Sequence, residues 1–224
     1  MYQNLPENED LCMRLAAVLG IKTAKHSLIQ LPSKNLAYIT QRFDREAGRK
    51  LASEDLCQLT ETLTEHKYRG SYEKTGKVIQ KYSSQPGFDA LSYFELVLLS
   101  FMIGNADMHL KNFSMLENRD NHFSLSPAYD LLATFLVIDN EDEQLSLTIN
   151  GRKNKIRIRD FDALAKSLKL TEKQTENSYQ KFIGKEKEIR WWIDNSFLPI
   201  CQKEKLQNLV DKRMRILTRN LSSD

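Results

Sequence analysis

The feature that most constrains this chain is an abrupt change of character near its middle. Leu96 to Ile103 is apolar apart from Ser100, and it runs straight into Gly104-Asn105-Ala106-Asp107-Met108-His109-Leu110-Lys111-Asn112-Phe113-Ser114. An apolar helix that ends in such a cluster holds polar groups at a fixed place beside a core. Whatever else the chain does, this junction organises it.

The spacing inside the cluster carries chemistry. Asp107 and Asn112 are separated by four residues, as in the protein-kinase catalytic loop H-R-D-x-x-x-x-N. There the aspartate accepts the proton of the substrate hydroxyl and the asparagine oxygen holds a Mg²⁺; Lys111, the lysine of the loop here, can offset charge on the phosphoryl group in flight. A second carboxylate, Asp130, follows in Leu125-Ser126-Pro127-Ala128-Tyr129-Asp130. Asn118 to Asn121 reads as a polar turn between alternating flanks, so a β-hairpin is expected to bring Asp130 back beside Asn112. Together they offer oxygen ligands suited to a hard cation. Asp and Asn also cap ordinary turns, which is the plain alternative for Asp107 and Asn112. His109 reads either as a group that orients the aspartate or as a histidine bonded within the core, and Asn105 as a tie that holds the loop down.

Several separate stretches carry a resemblance. Gly104-Asn105-x-Asp107-x-His109-x-Lys111-Asn112-Phe113-Ser114 and Pro127-x-Tyr129-Asp130 lie downstream of Leu5-Pro6-Glu7-Asn8-Glu9, Arg42-Phe43-Asp44-Arg45 and Glu54-Asp55-Leu56-Cys57-Gln58. In this order they resemble the signature of the HipA-like toxin kinases, from about Leu5 to about Leu170. The resemblance implies an α+β, protein-kinase-like fold, with a partial small lobe over 1–44 and a mostly helical large lobe over 45–224. It also implies transfer of the ATP γ-phosphoryl group to a serine or threonine hydroxyl of a protein. Asp107 would be the base, with Lys111 and His109 beside it. Asn112 and Asp130 would hold Mg²⁺, and Gln41, Arg42, Phe43 and Asp44 would lie along the adenine of ATP. Gln41 departs from the family's commoner glutamate. The implied partner is a helix-turn-helix antitoxin, with DNA reached only through it. Glu9 could pair with the ATP lysine of the small lobe or simply favour the first turn of a helix.

Other observations bound the answer. With 224 residues the chain can bury a real core as one domain or two joined lobes. Hydrophobic residues at 41%, charged residues at 28% and a net charge of +3 give no argument for nucleic acid by composition. Cys12, Cys57 and Cys201 are scattered and odd in number, as in a reducing compartment, and each reads as a buried small hydrophobe. No signal peptide is visible and the longest apolar run is short of a bilayer span, so a cytoplasmic protein off the membrane is expected.

In chain order, helices are expected at Asn8–Leu19 (capped by Asn8), Ser53 to about Glu65 (capped by Ser53), Tyr72–Tyr82, Asp89 to the loop, and Asp160 to about Leu168. A final helix carries Leu206, Val210, Met214, Leu217 and Leu221 inward, with Lys203, Lys205, Lys212, Arg213, Arg215 and Arg219 on its wet side. Strands are expected at Ile21–Gln30 and Leu36–Phe43, and a hairpin at Glu143–Asn150 and Lys155–Ile158, whose basic residues read as a solvated face. Trp191 and Trp192 read as packing anchors.

The eight glycines form no G-x-G cluster, and Lys22, Lys25 and Lys34 are the available stand-ins for an ATP lysine. The chain therefore reads as a family member lacking an N-terminal phosphate-gripping region, and a separate N-terminal subunit is a candidate partner. Two alternatives stand beside the kinase: a non-catalytic, antitoxin-binding pseudokinase, and a metal-dependent phosphoesterase using Asp107, His109, His122 and Asp130.

Overall fold

Helix α4 (Pro86–Ile103) is the post around which the rest is packed. Every residue from Tyr93 to Ile103 is buried, because other elements cover it on all sides. In the computed structural model, which describes residues 3–118, 121–138 and 143–218, α4 alone is long and apolar enough to cross a membrane, and 61% of it is buried inside the fold. Pro86 lies in its first turn, where a missing N–H costs nothing. Gly104 ends it at φ 73°, and a Cβ there would meet Phe135 and Leu209 at 2.6 and 2.7 Å. Only glycine fits both the left-handed turn and the gap. Asp89 does not cap α4. It sits in the first turn and accepts hydrogen bonds from the Ser83 hydroxyl and the Leu125 N–H, tying α4 to a strand.

The described residues form an α+β fold, as expected. Helix α1 (Leu5–Val18) begins three residues before the expected cap: Pro6 starts it, and Asn8 is buried inside it. Strands β1 (His26–Gln30) and β2 (Leu36–Thr40) pair antiparallel, with His26 opposite Thr40 and Gln30 opposite Leu36. A short hairpin follows, β3 (Arg45–Glu46) with β4 (Arg49–Lys50). Strand β5 (Ser53–Asp55) then pairs with β6 (Ser114–Glu117), and β6 with β7 (Phe123–Leu125). The hairpin expected after the polar cluster is therefore present, although positions 119 and 120 of its turn lie outside the described residues.

Ser53 belongs to a strand, and the cap is Asp55, which forms a reciprocal capping box with Gln58. The helix it starts, α2 (Leu56–Leu59), stops well short of Glu65, and Glu61 at φ 52° turns the chain away. Helix α3 (Tyr72–Tyr82) has the expected bounds, with Ser71 as its cap.

The hairpin expected between 143 and 158 is not formed. Leu145, Leu147 and Ile149 are buried as the alternation expects, but Ser146 between them is buried too. Their backbone is bonded elsewhere: Thr148 O accepts from Tyr72 N–H, and Thr148 N–H donates to Gly70 O. Only the turn survives, Asn150 and Gly151 both at positive φ with Ile149 and Arg152 bonded across it. The remaining helices are α5 (Ile158–Ser167), α6 (Glu172–Gly184), α7 (Glu186–Asp194) and α8 (Ile200–Leu217). Asp160 is the third residue of α5 and accepts from Arg157 N–H and Asn150 Nδ2.

Helix α8 buries Leu206, Val210, Met214 and Leu217. Arg213, expected in solvent, is buried with them: its guanidinium lies 4.7 Å from the Phe101 ring and donates to the Phe101 carbonyl. Arg219 and Leu221 lie outside the described residues. Cys12 and Cys57 are buried, whereas Cys201 is exposed. Trp192 packs on the core with Arg14 over its ring, while Trp191 is exposed.

Candidate active site

The polar loop starts where Gly104 stops α4, and it is held by side chains from a distant segment. Thr134 Oγ1 donates to Gly104 O and accepts from Ala106 N–H, each at 3.0 Å. Asn105 Oδ1 accepts from Asp107 N–H at 3.0 Å, the tie expected of it. The Met108 carbonyl accepts from Ser146 and Tyr72 hydroxyls. A 3₁₀ turn, Leu110–Asn112, then leads into β6. With the backbone fixed at each step, the side chains between have few places to point.

Asn112 Nδ2 donates to Asp130 Oδ2 at 2.7 Å, so the two residues expected to share a cation are in contact. Asp130 holds the left-handed conformation, φ 55°, which turns its carboxylate toward the loop. Asn112 Oδ1 is buried with no hydrogen-bond partner. A buried acceptor without a donor is costly unless something electropositive meets it. An oxygen-lined place with one neutral and one charged ligand fits a hard divalent cation that keeps waters and phosphate oxygens as its other ligands.

Asp107 is half exposed, at 48% for its side chain. Its Oδ1 accepts from the Tyr68 hydroxyl at 2.5 Å and lies 3.9 Å from His109 Nε2. His109 is buried, its Nδ1 has no partner, and its ring meets Tyr68 edge-on at 5.0 Å. Burial, above all, holds its imidazole below the ordinary pKa, so it is neutral beside the aspartate at pH 7.

Lys111 is part of a second feature beside the loop. It lines a separate cavity of about 360 Å³ together with Gln41, Arg42, Phe43, Asp44, Ser114 and Tyr129. That volume lies at the small end of the range for ligand pockets. The loop and cavity are joined by Tyr129, whose hydroxyl donates to Lys111 O and meets Ser114 Oγ, each at 2.7 Å. Its ring packs on Phe43 at 5.3 Å. The four expected adenine-facing residues thus share one cavity, but two have commitments of their own. Gln41 N–H extends the sheet by donating to Lys25 O. Asp44 is gripped by Arg42 and Arg45, and hydrogen bonding from Arg42 first of all pulls its carboxyl down to about 2.

Across from Asp130 stands Glu9 on α1. Burial, with a smaller push from the Asp130 charge, raises its carboxyl to about 7. Among the described residues no hydrogen bond or ion pair reaches it, and none joins Lys22, Lys25 or Lys34 to Glu9 or Asp130. Asn8, its neighbour, donates to Ala133 O and accepts from Ala133 N–H, at 3.0 and 2.9 Å. The phosphoesterase arrangement is not formed: among the described residues no group of three or more His, Cys, Asp or Glu side chains is placed to hold a metal.

Tyr68 and Asn8 were not singled out as site residues by the sequence. The run His66-Lys67-Tyr68-Arg69 mixes basic and aromatic side chains, but nothing in its spacing points to Asp107.

With this geometry in view, comparison with known proteins is informative. The model of the HipA-like C-terminal domain matches residues 1–189. "Putative kinase Y4dM" of Sinorhizobium fredii is 28% identical over 215 residues, covering 90% of this chain and 52% of that protein. "Serine/threonine-protein kinase toxin HipA" of Shewanella oneidensis is 27% identical over 173 residues, covering 66% of this chain and 38% of the toxin. The chain spans about half the length, or less, of these curated relatives.

Among solved structures, Shewanella oneidensis HipA, determined with HipB and its operator DNA, superposes with a TM-score of 0.79 at 21% identity, over 97% of this chain and 56% of that one. The Helicobacter pylori proinflammatory kinase CtkA superposes with a TM-score of 0.68 at 15% identity, over 96% of this chain and 86% of that one. The α+β fold is therefore kinase-like. On the extent of the family match, this chain belongs to the family of HipA-like C-terminal domains.

Proposed function

We propose that this chain is the core of an ATP-dependent serine/threonine protein kinase of a bacterial toxin–antitoxin module. The observation that carries the reading is the state of Asn112, whose amide nitrogen is committed to Asp130 while its buried Oδ1 has no partner. In this reading Asn112 and Asp130 hold Mg²⁺, which when bound neutralises charge on the phosphate oxygens of ATP. Asp107 orients the incoming hydroxyl and accepts its proton. Neutral His109 stands behind Asp107 and limits the positions its carboxylate can take. The cavity formed by Gln41 to Asp44 receives the adenine. Lys111, on the wall of that cavity, reaches toward the phosphates and offsets their charge.

Residues 1–44 act as part of a small lobe ending in the hinge, and 45–224 as the large lobe. Donors that grip the β- and γ-phosphates are absent from the eight scattered glycines, so transfer calls for a phosphate-gripping segment or subunit beside these residues. The relative determined with HipB and operator DNA supports an antitoxin as partner; in this reading the antitoxin is a helix-turn-helix protein, DNA is reached through it, and the chain works in the cytoplasm.

The test is calorimetric titration with ATP, in Mg²⁺ and with Mg²⁺ chelated, on the parent and on Asp130→Asn. The expected result is weak, Mg²⁺-dependent binding in the parent, lost in Asp130→Asn with thermal stability little changed. An Asp130→Asn variant that binds Mg²⁺-ATP as the parent does sinks the reading. Assay of radiolabelled phosphate transfer then asks for activity directly: little is expected from the chain alone, and more when a polypeptide carrying a Gly-rich loop and lysine strand is added.

A further inference from the structure

Tyr68 lies between a 3₁₀ turn, Thr64–His66, and α3, on a segment anchored by its backbone. Lys67 O accepts from Leu110 N–H at 3.2 Å, and Gly70 O accepts from Thr148 N–H at 3.3 Å. Between those anchors the Tyr68 ring is 41% exposed, with Lys67 Nζ 4.9 Å from its centre and the His109 ring against its edge. Its hydroxyl donates to Asp107 Oδ1 at 2.5 Å. A neutral O–H that donates to a carboxylate makes a charge-assisted bond, among the stronger kinds.

An aspartate that removes the proton of an incoming hydroxyl must first accept a hydrogen bond from it. Tyr68 already makes that bond, from a side chain exposed enough to swing aside and a backbone that need not move.

We propose that Tyr68 is the resident occupant of the acceptor position. Its phenol takes, on Asp107, the place of a protein serine or threonine hydroxyl, and the acceptor enters by displacing it. With the phenol in place Asp107 keeps its rotamer and its Oδ1 is occupied, so that oxygen is not free to take a proton from a water and bound nucleotide is protected from hydrolysis until an acceptor arrives. The inference rests on Asp107 being the base and goes further by naming what fills its acceptor side.

The experiment follows the Tyr68 ring by NMR in the full chain, with isotope label at tyrosine Cζ and Tyr68→Phe to assign the signal. Asp107→Asn is expected to move the Tyr68 signal. N-acetylserinamide at high concentration is expected to move it the same way in the parent, and N-acetylalaninamide to leave it unmoved. A Tyr68 signal indifferent to Asp107→Asn, or equal responses to the two amides, overturns the proposal. Hydrolysis of Mg²⁺-ATP gives a second readout in a transfer-competent preparation. Tyr68→Phe is expected to raise it roughly three- to tenfold, the worth of one hydrogen bond, and an unchanged or lower rate counts against the gate. If neither protein turns ATP over, the phosphotransfer reading fails, and the NMR result decides Tyr68 by itself.

Discussion

Around Asp130 two elements face each other with unequal support. On one side the loop from Gly104 to Asn112 is tied at nearly every residue, by Thr134, Asn105, Tyr72, Ser146 and Tyr129. On the other side α1 presents Glu9 with no ion partner among the described residues, next to a two-stranded sheet whose Ile29 and Ile39 are 40% and 47% exposed. The loop side is complete in itself, and its polar groups are already where chemistry would need them. The helix side holds charge and apolar surface in readiness for something else. Preorganisation and incompleteness face one another across Asp130, and the contrast says where binding energy is still to be gained.

The largest effect expected on this contrast comes from the completed side. In a transfer-competent preparation Asp107→Asn should lower phosphotransfer by about 10²–10⁴-fold. ATP affinity should stay within about twofold, because the lost group acts in the transition state and not in ground-state binding. Radiolabel transfer and calorimetry read the two quantities separately, and full activity in the variant would break the assignment.

The next is structural and joins the two sides. Asn8→Ala removes both bonds to Ala133, leaving its buried N–H without an acceptor and its carbonyl with Leu136 N–H alone. A loss of about 2–4 kcal/mol is expected by urea denaturation. A loss below about 1 kcal/mol would mean the helix is held mainly by packing.

Glu9 probes the incomplete side. Its carboxyl lies at about 7 in the folded chain against an ordinary 4.5, so the folded state favours the protonated form. Relative stability from this group is full below 4.5 and falls away as pH rises through about 7. Glu9→Gln should therefore match the parent near about pH 4 and exceed it by on the order of 1–3 kcal/mol near about pH 8. Parallel stability–pH curves for the two proteins would show that Glu9 already has a partner.

Asp44 gives the smallest effect and the opposite sign. Its carboxyl is held at about 2, so its contribution is present above the ordinary carboxylate value and is lost as pH falls through about 2. Arg42 and Arg45 are well exposed, which screens the pair. Asp44→Asn should cost about 1 kcal/mol or less at neutral pH, seen as a small drop in the denaturation midpoint that disappears in acid.

What the sequence made legible follows the range of the contacts. Helix α3 was plain because the chain breaks after Tyr82 in Ser83-Ser84-Gln85-Pro86-Gly87, a local signal, and the Ser71 cap found in the structure is local too. Asn112 and Asp130 were legible as a pair because a short hairpin joins them, 18 positions apart. Tyr68 reaches Asp107 across 39 positions and Asn8 reaches Ala133 across 125, and no periodicity or cap announces such pairings. The segment from Leu145 to Ile149 was misread for a related reason. Its alternation reported Leu145, Leu147 and Ile149 as buried but not Ser146, and alternation says nothing about which backbone answers the segment; here Gly70 and Tyr72, at the start of α3, answer it. Arg213 was placed in solvent by its charge, yet the Phe101 carbonyl and ring give a cation what it needs inside the core.

The double bond between Asn8 and Ala133 has a kinematic consequence. Ala133 lies three residues after Asp130, and Asn8 lies one before Glu9, so a single side chain clamps the two acidic elements at fixed separation. With both backbone groups of Ala133 engaged, α1 cannot roll about its axis without carrying that segment along. A kinase that toggles by swinging such a helix outward needs a slack joint there. Here the two bonds act as a rivet, so a displacement of α1 that leaves them intact carries the Asp130 segment with it as one body.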